Sequence, residues 1–117
     1  MPKNNVRLVR INDEIARATA DIIRFEMTDP RIGTVVSVLR AETSADLKYC
    51  KIFVSALGDA NSQQETMTAL NNASGFIRKR IADTLNLRHT PEIKFIFDDS
   101  IEHAIRMQSL IDSVNKS

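Results

Sequence analysis

The spacing of the apolar residues switches repeatedly between the period of a helix and that of a strand, which limits the folds open to this chain. In residues 7–27 apolar positions recur every three or four residues, which predicts a helix with one buried stripe. Residues 35–42 and 49–57 are instead strand-like, the first rich in β-branched residues and the second alternating between two faces. The turn segment Thr43-Ser44-Ala45-Asp46 between them favours an antiparallel hairpin.

A second apolar stripe runs from residue 67 to residue 85 and is interrupted by Ala73-Ser74-Gly75. Ser62 and Glu65 have the spacing of a capping box, so we expect this helix to begin at Ser62. A glycine within a helix costs about 1 kcal/mol relative to alanine. The segment is therefore either one kinked helix or two helices, of which the second spans residues 75–85.

A strand over residues 93–97 and a final helix complete the expected order, α-β-β-α-α-β-α. Residues 99–102 offer a second capping box for the final helix. Its expected apolar side consists of Ile101, Ala104, Ile105, Ile111 and Val114. The order predicts an α+β fold in which helices cover one face of a small mixed sheet. With 117 residues, 43% of them hydrophobic, we expect one domain over 1–117.

Other bulk features favour a soluble, cytoplasmic protein. No apolar run approaches the length of a membrane span, and the first residues form no apolar signal core. We therefore expect no membrane partner. The single cysteine, Cys50, cannot form an internal disulfide, which fits a reducing compartment.

The residues that could support catalysis do not converge into a motif. The candidates are His89, His103, Cys50 and the pair Asp98-Asp99. Cys50 lies in an apolar strand, and the two aspartates are better explained as the end of a strand and the cap of the last helix. Metal-binding, nucleophile-elbow and phosphate-loop motifs are missing from the sequence. We expect no enzymatic activity, no cofactor, no metal and no small-molecule substrate.

A local cationic cluster favours nucleic-acid binding, although the net charge is only +1. Asp83 is the only acid in the stretch that carries the cluster, and Lys48, Lys51 and Lys94 could approach the same side. The cluster consists of Arg78, Lys79, Arg80, Arg88 and His89. Such cations neutralise phosphates and release counterions. The alternative is an ordinary solvated helix face.

Gly75 strengthens the nucleic-acid interpretation. Its position has two explanations: close packing of a helix on the sheet, or close approach of a nucleic-acid backbone beside two helix ends. The second resembles the K-homology domain, in which a glycine-containing loop between two helices clamps nucleotides. The dihedral angles of Gly75, either helical or with positive φ, are left open by the sequence.

Four stretches of this chain resemble the ribosome-binding factor A family. They are EMTDPR (26–31), SADLKYCKIFVS (44–55), ALNNASGFIR (69–78) and LRHTPEIKF (87–95). The resemblance implies a type II K-homology-like domain, α-β-β-α-α-β, with an additional C-terminal helix. Ala73-Ser74-Gly75 fits the Ala-x-Gly kink that replaces the usual Gly-x-x-Gly loop in this family.

The resemblance also implies a function. It indicates a non-catalytic assembly factor, related to cold adaptation, that binds the small ribosomal subunit and its ribosomal RNA during late maturation and ribosomal RNA processing. The expected RNA-binding residues are Lys48, Lys51, Ala73, Ser74, Gly75, Arg78, Lys79, Arg80, Arg88 and His89. We expect a monomer. The alternative is a protein–protein adaptor with the same fold and no RNA contact.

Overall fold

The computed structural model describes residues 4–27, 29–32 and 36–116. Within these residues, four helices and three strands follow the expected order, and the expectation of an α+β fold is confirmed. The elements are α1 (Asn4–Glu26), β1 (Val36–Thr43), β2 (Tyr49–Ala56), α2 (Ala60–Asn72), α3 (Ser74–Leu85), β3 (Glu92–Phe97) and α4 (Ser100–Lys116). The expected strand start at Val35 lies outside the described residues.

The stripe of α1 supplies one side of the hydrophobic core. Ile11, Ile15 and Ile22 are buried, as the period predicts. The buried Thr19 hydroxyl donates to the Ile15 carbonyl at 2.7 Å, so this polar group has a partner. Phe25 falls on the same spacing, which predicts its burial, but this prediction is wrong, because the residue is 73% exposed.

The three described strands form one sheet in the order β1-β2-β3. β1 is antiparallel to β2, and β2 is parallel to β3. Alternation along β2 buries Cys50, Ile52 and Val54 on the face that packs in the core with α1, α2 and α3, as expected. The opposite face, which carries Tyr49 and Lys51, remains exposed.

The capping box expected at Ser62 is wrong. The helix begins two residues earlier, and Asp59 is the N-cap: its carboxylate accepts from the amide of Ser62 at 2.8 Å. An aspartate is as good an N-cap as a serine, and the turn after Gly58 brings it into the capping position first. Ser62, which the sequence predicted as the cap, therefore donates its amide to the cap residue Asp59.

The last helix, α4, packs differently from the expectation. Its described side chains, from His103 to Val114, are all exposed, including Ile105, Ile111 and Val114. Among the described elements α4 makes at most marginal contacts. At its start the Asp98 carboxylate accepts from the Ser100 amide at 2.8 Å. The side chains of Ile101 and Glu102 lie outside the described residues, so the second capping box stays a prediction.

Candidate nucleic-acid interface

The interruption in the second stripe separates two helices. Ala73 lies between them with φ −89° and ψ 1°, outside the helical region. Its amide donates to the carbonyls of Ala69 and Leu70 at 3.0 and 3.1 Å, and this closes α2. The Ser74 hydroxyl donates to the Asn71 carbonyl at 2.8 Å. These contacts fix the joint without any large side chain.

Gly75 lies in the first turn of α3 and is exposed. Its φ is not positive, and a Cβ built on it would meet no described heavy atom within 4 Å. Close packing on the sheet therefore does not explain this glycine. The adjoining N-cap, Ala73, contributes no side-chain hydrogen bond to the first-turn amides of α3. A helix start of this kind attracts anions because its amide dipoles point outward.

The three consecutive cations of α3 have three different environments. The Arg78 guanidinium donates to the Thr90 carbonyl through Nε and Nη2 at 3.2 and 2.9 Å, which ties α3 to the segment before β3. Arg80 pairs with Glu26 at 2.6 Å. Lys79 is exposed and forms no ion pair with another described residue. Of the three side chains, that of Lys79 is the one with neither an ion pair nor a hydrogen bond to another described residue, so it can contact an external phosphate without losing an internal contact.

The loop between α3 and β3 approaches the hairpin turn. The Glu92 amide donates to the Lys48 carbonyl at 2.8 Å, which joins the start of β3 to the end of the turn. Lys48, Arg88 and His89 are exposed near this junction. Arg88 and His89 also line a cavity of about 220 Å³ together with Arg7 of α1. The structure thus brings these predicted residues to one end of the molecule.

Lys51 does not lie with the helix-borne cations. It is on the exposed face of β2, beside Lys94 of β3 and opposite Glu42 of β1. Since α1, α2 and α3 pack on the other face, the predicted cations form two groups on opposite faces of the sheet. One group includes Lys79 and Arg88; the other consists of Lys51 and Lys94.

Two of the groups considered for catalysis, Cys50 and Asp98, have structural roles. Cys50 is buried, and burial raises the pKa of its thiol, which keeps it protonated and unreactive. The hydroxyl and amide of Ser100 and the Arg40 guanidinium lower the pKa of Asp98 to about 2. Among the described residues, no His, Cys, Asp and Glu side chains assemble a ligand set for a metal ion. Within the same residues, no helix has the length and apolarity needed to span a bilayer.

Sequence reasoning missed two residues of interest. Phe76 follows Gly75 and is 47% exposed, so an aromatic ring stands beside the open helix start. The signal for it was present, because Phe76 falls off the stripe that Ala73, Ile77 and Ile81 define. Nothing in the sequence around Arg7 marks it as a site residue, because it comes close to the α3–β3 loop only in the folded chain.

Known proteins resemble this chain along most of its length. The sequence model of the family described as "Ribosome-binding factor A" matches residues 7–111. A Lachnospira eligens protein of that name is 50% identical over 116 residues, covering 99% of this chain and 89% of the relative.

Solved structures agree with the fold. The solution NMR structure of a Thermotoga maritima protein superposes with a TM-score of 0.70 at 35% identity, covering 77% of this chain and 85% of that one. A homology model of a Thermus thermophilus ribosome-binding factor A, fitted into a cryo-EM map of a 30S complex, gives a TM-score of 0.66 at 21% identity. That alignment covers 79% of this chain and 96% of the Thermus chain, and at this identity it shows the fold alone.

Proposed function

This chain belongs to the ribosome-binding factor A family, and we propose that it binds the small ribosomal subunit through ribosomal RNA. The observation that carries the proposal is the 50% identity to a ribosome-binding factor A over nearly the whole chain. A homology model of the Thermus relative, fitted into a cryo-EM map of a 30S complex, supports it. The start of α3, which has no side-chain cap, and the exposed Lys79, which has no ion pair among the described residues, supply the chemistry that RNA phosphates require.

We propose further that binding promotes late maturation and ribosomal RNA processing without covalent chemistry by the protein itself. Binding alone can do this when it stabilises one conformation of the RNA over others. A role in cold adaptation follows from the same logic, since misfolded RNA rearranges more slowly at low temperature. The protein would act as a monomer in the cytoplasm, where subunits are assembled.

Sedimentation of purified small subunits with the protein, at several salt concentrations, tests the binding. Each phosphate contact contributes about 0.7–0.9 to the slope of log affinity against log salt. Lys79→Gln should therefore bind more weakly and reduce the slope by about that amount. Arg106→Gln on the exposed α4 removes the same charge from another place and serves as the matched control. An unchanged slope for Lys79→Gln would place the phosphate contacts elsewhere.

The protein–protein adaptor is the second candidate, and the exposed apolar residues of α4 favour it. Protein-free ribosomal RNA separates the two functions. An adaptor should bind intact subunits with little dependence on salt and should not bind the naked RNA. An RNA-binding factor should retain salt-dependent affinity for the naked RNA.

A test of maturation uses cells in which the gene is deleted. We expect them to accumulate precursor small-subunit RNA and to grow more slowly in the cold, with both defects restored by the parent gene. If the Lys79→Gln gene restores RNA processing and growth in the cold as fully as the parent gene does, maturation does not depend on this phosphate contact.

A further inference from the structure

A cavity of about 220 Å³ lies where α1, the hairpin turn and the α3–β3 loop meet. Its apolar lining consists of Ile11, Leu47, Leu87 and Pro91. Ile11 and Pro91 are buried, whereas Leu47 and Leu87 are half-buried against the core. The cavity therefore has an apolar floor that is continuous with the hydrophobic core. It is distinct from the α2–α3 joint, because it lies beyond the other end of α3.

The rim of the cavity is cationic. Arg7, Arg88 and His89 line it and are exposed, and no acidic side chain is among the described lining residues. Neither arginine forms an ion pair within the described part of the chain. The nearest turn acid, Asp46, is occupied by the Ser44 hydroxyl and the Lys48 amide at 2.6 and 3.1 Å. An apolar floor with an unneutralised cationic rim complements a ligand with a flat apolar ring and an anionic attachment.

Leu47 forms one wall of the cavity in an unfavourable backbone conformation. Its φ is 62°, in the left-handed region that a branched apolar residue rarely adopts. Glycine or asparagine would satisfy the turn with less strain. The chain nevertheless places a leucine here, and its side chain contributes apolar surface both to the core and to the cavity. Strain of this kind is often found where a backbone is held to shape a ligand site.

We propose that this cavity receives one unpaired base of the bound RNA, with Arg7 and Arg88 contacting the phosphates on either side of it. The proposal rests on the RNA-binding function given above. Proteins recognise single-stranded RNA by splaying out bases and stacking them on aromatic or histidine rings or arginine guanidinium planes, and flipped bases are also held between apolar side chains. The volume is below the 300–1,000 Å³ or so of pockets that enclose drug-sized ligands, so one heterocycle fits and the sugar and phosphate stay outside.

The test measures binding of the full chain to eight-nucleotide RNA strands at fixed salt. The strands are the homopolymers of adenine, cytosine and uracil and a strand of the same length without bases. At least one homopolymer should bind about tenfold more tightly than the abasic strand, because the extra affinity of one buried base is of the order of 1.4 kcal/mol. Equal affinity for all four strands would overturn the proposal.

Two variants locate the base. Leu47→Asn keeps a residue that tolerates the left-handed conformation but removes the apolar wall, so it should abolish the preference for bases over the abasic strand. Arg88→Gln should weaken binding of all strands, the abasic strand included, because it removes a phosphate contact. Arg106→Gln on α4 is the control for charge. It should leave the preference for bases and the affinity for all strands at the parent values. A base preference that survives in Leu47→Asn would refute the assignment to this cavity.

Binding to purified small subunits, measured in parallel, separates failure of this inference from failure of the RNA-binding function. If Leu47→Asn binds subunits and RNA strands like the parent, the proposal that the cavity receives a base is refuted, but the proposed RNA-binding function is not. Weaker subunit binding with unchanged strand binding would show that the cavity holds a protein side chain of the subunit, which also refutes the proposal. A parent chain that binds no subunit at all would refute the function itself.

Discussion

Replacing Gly75 with alanine should stabilise the protein. Gly75 is helical, and the added methyl group would meet no described atom within 4 Å, so the folded state accepts it without strain. The gain comes from the unfolded chain, which loses conformational freedom, and amounts to about 0.4–1 kcal/mol. For a chain of 117 residues this corresponds to a rise in Tm of about 2–4 °C. Urea denaturation should show a higher midpoint with an unchanged m-value.

The same substitution at Gly58 is the matched control and should have the opposite sign. Gly58 has φ +126°, and its new Cβ would lie 3.0 Å from the Ser62 Cβ. We expect Gly58→Ala to lose at least about 1 kcal/mol of unfolding free energy, because an L side chain is strained there. If Gly75→Ala is less stable than the parent, the reasoning about its open, helical position is refuted.

Subunit affinity of the Gly75→Ala variant tests why a glycine stands there. If an RNA backbone approaches α3 closely, the methyl group should weaken subunit binding even though the folded state is more stable. This combination separates a functional role from a structural one, because ordinary destabilisation cannot produce it. A variant that is more stable and binds subunits with the parent's affinity would show that the glycine has no role in RNA binding.

Three further outcomes follow from individual side chains. Arg78→Ala should lower the unfolding free energy by about 0.5–1 kcal/mol, because its guanidinium donates to the Thr90 carbonyl. Lys79→Ala should change it by less than about 0.5 kcal/mol, and urea denaturation of both variants tests this difference. The Asp98 carboxyl, held near pKa 2 by Ser100, stabilises the fold above about pH 4, and this contribution is lost as the pH falls through about 2. Asp98→Asn should therefore show a flatter acid-unfolding curve, and an identical curve would contradict the assignment. Cys50 should react with a thiol reagent only at the rate of unfolding, so rapid labelling of the native protein would show that it is not buried.

The sequence predicted the features that depend on the periodic burial of one face, and it missed those that depend on turn geometry or on a packing partner. The buried faces of α1 and β2 were predicted because burial on one side of an element imposes a strict period. The start of α2 was missed because Asp59 and Ser62 are both good caps, and only the turn geometry decides between them. α4 was expected to pack on the sheet because it is amphipathic, yet its described apolar side chains are exposed. An apolar face with the period of a helix shows that the helix can pack against something, but not that the same chain provides the surface.

Part of the candidate site was visible in the sequence, but its geometry was not. The cluster around Arg78 was visible as a run of charge, and Gly75 as an interruption of the stripe. That Arg78 and Arg80 are partly used to hold the fold together depends on Thr90 and Glu26, which are distant in sequence. Arg7 belongs with Arg88 only because α1 runs past the hairpin turn. Contacts between distant segments leave no local signal in a single sequence.

The near-zero net charge is compatible with RNA binding once the acids and the cations are located. Arg31, Arg40 and Arg80 all form ion pairs with acids of this chain. These pairs engage part of the acidic charge internally, whereas Lys79 and Arg88 have no acidic partner among the described residues. Because the Debye length is about 8 Å at physiological salt, a phosphate at the surface responds to the nearest charges and not to the total. The proposed RNA binding would therefore depend on close contacts at particular places and not on long-range attraction.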